Sequence, residues 1–311
     1  RGLGDVYKRQ MIRAIDFYSH FLKKVENAPN FEYVNASISE IISNSTDNYI
    51  NTSIGNFKAK LIFSSLPKND KMNLKKYPLL NQSFIGWTIE TEEDVFDEKT
   101  MTLMDFNRNQ KDETRFIYVL PFSSRKALVE YTLFSEKIIS DQDYENGIKE
   151  YLNEKEIDNF KIIEKEKGNI PMTCFPFEKS NTNKLIYIGT AGGWTKPSTG
   201  YTIKNAIDKS KEITSYIKSN KALEHFNKRN RFWYYDLILL DVLKSTKGDG
   251  YKAFSYMFKR NNPIKILTFL DEKTTLFEEI PILLSVNKIP FIRALINRLA
   301  EIIDRIIRRP D

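Results

Sequence analysis

Residues 120–132 read LPFSSRKALVEYT, and this stretch decides the fold. A strand ends at Phe122. A short polar turn follows at Ser123-Ser124-Arg125-Lys126, and a second strand starts at Ala127. That second strand carries one carboxylate, Glu130, in an otherwise apolar and aromatic run. A lone acid there must be paired, solvated or protonated, because burying its charge is costly. Two readings stand at this point: a general acid, or a surface residue on an alternating strand.

Outward from the hairpin, more strands are expected on its N-terminal side. They are Ser83–Thr91 (SFIGWTIET) and Met101–Phe106 (MTLMDF, bearing Asp105), with Thr114–Phe122 as the first hairpin arm. Consecutive strands on short connections favour an antiparallel sheet, one face of which would floor an apolar cavity. On the C-terminal side, Asp141–Lys155 has amphipathic helical spacing. Phe160–Glu166 reads as a strand and Gly168–Met172 as a turn. Lys184–Gly189 is a buried strand, and Thr202–Lys218 a helix.

Between the last two lies TAGGWTKPSTGY, residues 190–201. Strand, glycine-bearing loop and helix place backbone N–H groups and a helix N-terminus beside an anion or a polar ring edge. An ordinary βα connection with glycines for tight turning has the same outline. Near the start, residues 11–24 have helical spacing, and residues 31–63 read as strands around Gly55 and Asn56. From Ala222 the chain is mostly helical. It ends in a basic amphipathic stretch, Ile289–Arg309, suited either to an anionic membrane surface or to docking on the body.

Composition narrows the function classes. The chain has 311 residues, 41% hydrophobic and 13% aromatic, with no apolar run of spanning length. One cysteine, Cys174, excludes an internal disulfide and suits a reducing compartment. With only His20 and His225 beside it, no transition-metal site is expected. The net charge of +7 suits an acidic partner. That charge is spread along the chain, so nucleic acid is not the expected one.

Four stretches together resemble the bacterial lycopene cyclase family of flavoproteins. They are QSFIGWTIE (82–90), LMDF (103–106), TRFIYVLPFSSRKALVEYT (114–132) and IGTAGGWTKPSTGYTIKNA (188–206). The resemblance runs from about Met11 to the end. It implies an α/β fold like that of flavoprotein hydroxylases. Residues 11–67 and 176–220 would form a discontinuous FAD-binding domain and 68–175 an inserted antiparallel substrate sheet. A helical C-terminal region would span 221–311. It further implies cyclisation of the open ends of lycopene or other acyclic carotenoids to β-rings. That reaction is non-redox but needs reduced FAD, with NAD(P)H as reductant. The expected location is the cytoplasmic face of a membrane. Another FAD-dependent oxidoreductase, a hydroxylase or a polyprenyl reductase, is the alternative.

Residue by residue, Glu130 matches the family's essential glutamate in a leucine-aliphatic-glutamate motif ending in threonine. The second acid that often follows it is Tyr131 here. Asp105 is a candidate partner for Glu130. Phe84, Gly86, Trp87, Tyr131 and Trp194 are candidates for the substrate pocket. Flavin contacts are expected from Gly189, Thr190, Ala191, Gly192, Pro197, Thr199, Gly200 and Tyr201, and more weakly from Arg13. Thr190 stands where related hydroxylases carry Asp. The first dinucleotide unit, strand–GxGxxG–helix, is absent and should precede Met11. Residues 1–10, RGLGDVYKRQ, resemble a translated sequencing adapter. Truncation is therefore expected, and with it poor FAD retention by the chain as it stands.

Overall fold

The computed structural model describes residues 11–44, 46–67, 76–219, 221–227 and 229–307, with side chains to Glu301. The expectations for residues 1–10, 308 and 309 lie outside the described residues, and so does the side chain of Arg305.

A five-stranded antiparallel sheet organises the molecule. Its strands are β5 (Leu79–Thr91), β6 (Thr102–Asp105), β7 (Thr114–Ser123), β8 (Lys126–Ser135) and β9 (Phe160–Thr173), in the order β6-β7-β8-β5-β9. Before it come β1 (Ile38–Ser43), β2 (Asn48–Thr52) and β3 (Gly55–Lys58), an antiparallel meander. Beside it, β4 (Ile62–Ser64) pairs in parallel with β10 (Leu185–Tyr187). The helices are α1 (Ala14–Glu26), α2 (Asp141–Glu154), α3 (Ile203–Lys218), α4 (Arg231–Thr246), α5 (Tyr251–Arg260), α6 (Pro263–Leu270), α7 (Leu276–Ser285) and α8 (Lys288–Ile307).

The sheet forms because its central strands alternate. Ile85, Trp87 and Ile89 on β5, Ile117 and Val119 on β7, and Ala127, Val129, Tyr131 and Leu133 on β8 share one face. They make a core with Tyr144, Ile148 and Leu152 of α2. Gly147 lets α2 come close: a Cβ there would lie 2.6 Å from the Tyr131 ring. Arg115 Nη1 also donates to the Tyr131 hydroxyl at 3.3 Å.

The opposite face has two halves. At one end Leu80, Phe116, Phe134 and Met172 pack against Leu237, Leu240 and Leu243 of α4 and Phe254 of α5. The other half carries Glu130.

The hairpin at 120–132 forms where the sequence places it, with one departure. Ser123 opposes Lys126, but Pro121 opposes Ala127, so Phe122 bulges out of the ladder. The register beyond the bulge moves by one residue, and Tyr118 becomes the residue opposite Glu130. Another difference lies at residues 168–172. The expected turn there is a continuation of β9, pairing with β5 as far as Thr173. Pro171 is tolerated because β9 is an edge strand, where a missing N–H need not face a neighbour. Gly168 is required because the Phe84 ring lies over it; a Cβ would stand 2.3 Å from the ring.

Candidate active site

One row of residues crosses the sheet: Tyr118 on β7, Glu130 on β8, Gly86 on β5 and Glu166 on β9. Residues paired across a sheet share a face, so these side chains project to the same side. Phe84, Thr132, Leu128 and Gln82 lie on that side by the same alternation. Glu130 is partly buried, and Glu166 is exposed.

Burial is the main cause that pushes the Glu130 carboxyl up to about 7. A hydrogen bond donated by the Thr132 hydroxyl to Glu130 Oε1 pulls it down, and the charge of Glu166 pushes it up. The threonine that closes the motif thus fixes the orientation of the acid. Tyr118 is pushed up to about 12, first by burial and then by the charges of Glu130, Tyr201 and Glu166. Glu166 is itself raised, by burial and by Glu164.

The glycine-bearing loop meets this same face. A Cβ on Gly200 would stand 2.8 Å from Gln82 Oε1 and 3.3 Å from Ile170. Gly200 has φ +71°, so glycine is needed there for backbone and space alike. The loop closes on itself. Lys196 N–H donates to Tyr201 O at 2.9 Å, and Gly200 N–H donates to Lys196 O at 2.9 Å. Thr190, Thr195 and Thr202 link their hydroxyls at 2.9 Å each.

Inside the loop, the Lys196 ammonium is almost fully buried and holds Asp236 of α4 and Glu272 at 2.9 Å each. Burial pulls this ammonium down, but the two carboxylates more than offset it, so it stays charged.

The loop's residues fit the polar edge of a flavin. Gly189 has φ +58°, and a Cβ there would meet nothing within 4 Å, so its backbone faces open space. Thr190 is exposed, and no side chain caps the N-terminus of α3. Gly192 has another reason to be glycine, since a Cβ would lie 2.1 Å from Tyr187 O. Ala191 is buried in the cluster around β4 and β10. Pro197, Thr199 and Tyr201 lie in the turn that faces the sheet; Thr199 Oγ1 accepts from Tyr201 N–H at 3.3 Å.

Several expected site residues are not brought together. Asp105 opposes Ile117, whose row belongs to the α2 face. Its charge acts on Arg108 and Tyr151, and its Oδ1 accepts from Asn107 N–H at 2.9 Å. Pleating therefore turns Asp105 away from Glu130. Trp87 and Tyr131 are core on that α2 face, for the same reason of parity. Trp194 packs with Ile186, Ile213 and Phe226 beneath α3. Arg13 sits at the start of α1 and pairs with Asp16 at 2.7 Å. Of the pocket candidates, Phe84 and Gly86 share the face of Glu130.

The residues missed from sequence are Tyr118, Glu166, and the ion-paired Lys196, Asp236 and Glu272, the first two of which are buried; of Thr132 the sequence shows only its place at the end of the motif. Alternation along a strand at 160–166 places Glu164 and Glu166 on one face, but only the pairing register sets Glu166 beside Gly86. Among the described residues there is no cluster of three or more His, Cys, Asp or Glu that would hold a metal ion.

Comparison with known proteins agrees with this architecture. In a solved structure, a geranylgeranyl bacteriochlorophyll reductase-like protein of Thermoplasma acidophilum aligns over 93% of this chain and 73% of its own. The TM-score is 0.51 and the identity 14%. A flavin-dependent halogenase of Brevundimonas sp. aligns over 95% of this chain and 66% of its own, with a TM-score of 0.49 and 10% identity. The first of these likenesses shows that the chain shares the mixed α/β fold of that reductase-like protein. A lycopene beta-cyclase of Paracoccus sp. is 28% identical over 129 residues, 40% of this chain and 33% of that protein. The matched stretch thus spans about a third of that relative. The family model described as lycopene cyclase protein matches residues 3–296. With that match running through nearly the whole length, this chain belongs to the lycopene cyclase family.

Proposed function

We propose that this chain carries the acid-catalysed step of a lycopene β-cyclase of carotenoid biosynthesis, an isomerase that closes the open ends of lycopene into β-rings. The observation that carries the reading is Glu130, a carboxyl held near neutrality on a sheet face among Phe84, Leu128 and Tyr118. An alkene is a very weak base, so its proton donor must be a neutral acid at working pH.

The steps balance without a redox change. Neutral Glu130 gives its proton to a terminal C=C bond, forming a C–H bond and a carbocation. The neighbouring double bond attacks that cation and closes the ring. A ring carbon then loses a proton, restoring a double bond. Aromatic faces attract cations, and Phe84 and Tyr118 are rings on the half of this face that carries Glu130. The backbone of Gly189–Ala191 and the turn Pro197–Tyr201 would hold FAD. Bound there in its reduced form, with NAD(P)H as the reductant, FAD would supply negative charge that favours a cation nearby.

The test is to express the full-length gene product in lycopene-accumulating cells and identify the carotenoids by chromatography and mass spectrometry. Cyclic isomers of lycopene are expected. A hydrogenated or oxygenated product would overturn the reading in favour of a reductase or a hydroxylase.

Lycopene is water-insoluble, so the proposal includes a peripheral site on the cytoplasmic face of a membrane. No helix of the described residues is long and apolar enough to cross one. The α7–α8 surface exposes Phe277 (87%), Ile280, Leu284, Ile289, Ile292 and Ile296 beside Lys288 and Arg293. An apolar face with basic flanks suits an anionic bilayer surface. Fully burying a Phe or Ile side chain is worth about 1.5–3 kcal/mol, so replacing one such side chain by an acid costs at least roughly tenfold in affinity. Flotation with phosphatidylglycerol-containing vesicles should show Phe277→Asp/Ile292→Asp binding weakened by at least about tenfold. Unchanged flotation would exclude this surface.

A further inference from the structure

Glu166 is the feature of the sheet face that the proposed reaction leaves without a role. It sits on β9, in the row of Glu130, with Gly86 of β5 between them. Two strand spacings separate the carboxylate-bearing strands, about 9.5 Å at the backbone. Only glycine leaves room for what lies over this position: a Cβ on Gly86 would lie 3.0 Å from both Cγ and Oε1 of Glu166, and 2.9 Å from Leu128 Cδ1. Glu166 thus leans over Gly86 towards Glu130.

The two acids differ in access, since Glu130 is partly buried and Glu166 exposed. Neighbouring lysines on β9 are engaged elsewhere. Lys165 binds Glu145 and Lys167 binds Asp141, each at 2.6 Å on the α2 side. Among the described residues, no ion pair holds Glu166 itself. The ionisable groups facing the pair are Tyr118 from β7, Glu164 from β9 and Tyr201 from the loop.

We propose that Glu166, lying over Gly86, is the relay that reloads Glu130 with a proton from solvent. The inference rests on Glu130 being the acid of the proposed cyclisation. After Glu130 has given its proton to the substrate carbon, it is a carboxylate. Neutral Glu166 hands its proton over, directly or through one water molecule, and solvent reprotonates Glu166. The proton count is conserved, because cyclisation releases to solvent one proton for each one taken up. Glu166 acts through Glu130 and is a positioning and relay residue.

The test compares Glu166→Gln, Gly86→Ala and Glu130→Gln in the full-length protein, with folding checked by circular dichroism. The first readout needs no turnover. The infrared carboxyl stretch of Glu130, identified by its loss in Glu130→Gln, is titrated. Removing the Glu166 charge should lower its midpoint.

The second readout is turnover, which should fall about tenfold in Glu166→Gln. Small carboxylic acids in the buffer should restore it, and the pH above which turnover is lost should move down. Gly86→Ala keeps both acids but puts a methyl group between them, and its turnover should fall likewise. An unchanged Glu130 midpoint, or a turnover loss that small acids do not restore, would overturn the relay. Full turnover in Glu130→Gln would instead overturn the acid itself, so the two failures are distinguishable.

Discussion

Glu130→Gln should lower ring formation by at least about a hundredfold and leave the fold intact. General acid catalysis typically contributes about 10²–10⁴-fold, and an amide of the same shape has no acidic proton to give. Gln fits because its carbonyl can still accept the Thr132 hydroxyl hydrogen bond. Turnover that requires neutral Glu130 should also fall as pH rises beyond about 7.

The same substitution has a stability signature with a definite sign. The folded carboxyl sits near 7, above its ordinary value of 4.5. The native state therefore holds more protons than the unfolded chain between those two values. Stability contributed by this group is full below about 4.5, falls as pH rises to about 7, and levels off above it. The whole span is at most ~3 kcal/mol. Gln lacks this dependence, so Glu130→Gln should equal or exceed the parent in melting temperature at pH 8 and lose that advantage at pH 5. Ring products by chromatography and melts at both pH values check the two halves. Turnover within tenfold of the parent would refute the role of Glu130.

Lys196→Met should destabilise the protein by about 3–5 kcal/mol, because it strands the carboxylate of Asp236 in the interior. Asp236 is 4% exposed and Lys196 3%. Asn230 Nδ2 also donates to Glu272 at 2.9 Å, so this ammonium joins the loop, α4 and the end of α6. Lys196→Met/Asp236→Leu should recover much of the loss, since a well-packed apolar pair commonly replaces a buried ion pair at little cost. Urea unfolding of the single and double variants measures the difference. A single-variant loss below about 1 kcal/mol would mean that Lys196 does not hold the loop. Because the backbone of Lys196 also closes the turn to Tyr201, the single variant should loosen the segment that faces Glu130 as well.

Much of this was legible in the chain itself. Strand periodicity gave β5, β7 and β8, and the polar residues at 123–126 gave the turn; the burial cost of a lone acid left Glu130 between two readings, and the family resemblance chose the general acid. The reading of residues 168–172 as a turn failed because Gly-Asn-Ile-Pro signals a turn only where no neighbouring strand competes. Here β5 supplies the partner, and the free edge accommodates Pro171.

The sequence alone therefore determined which residue types alternate and where a costly carboxylate sits, since both are local properties. Which residues share a face with Glu130 was decided by tertiary pairing. Phe122 bulges, the register moves by one, and a shift of one residue exchanges the two faces of a strand. Pairing across the sheet sends Asp105 and Trp87 to the α2 side, whereas Tyr131 is turned there by following Glu130 on the same strand. Edge pairing between β5 and β9 brings Glu166 up from thirty-six residues along the chain, a placement no local pattern encodes.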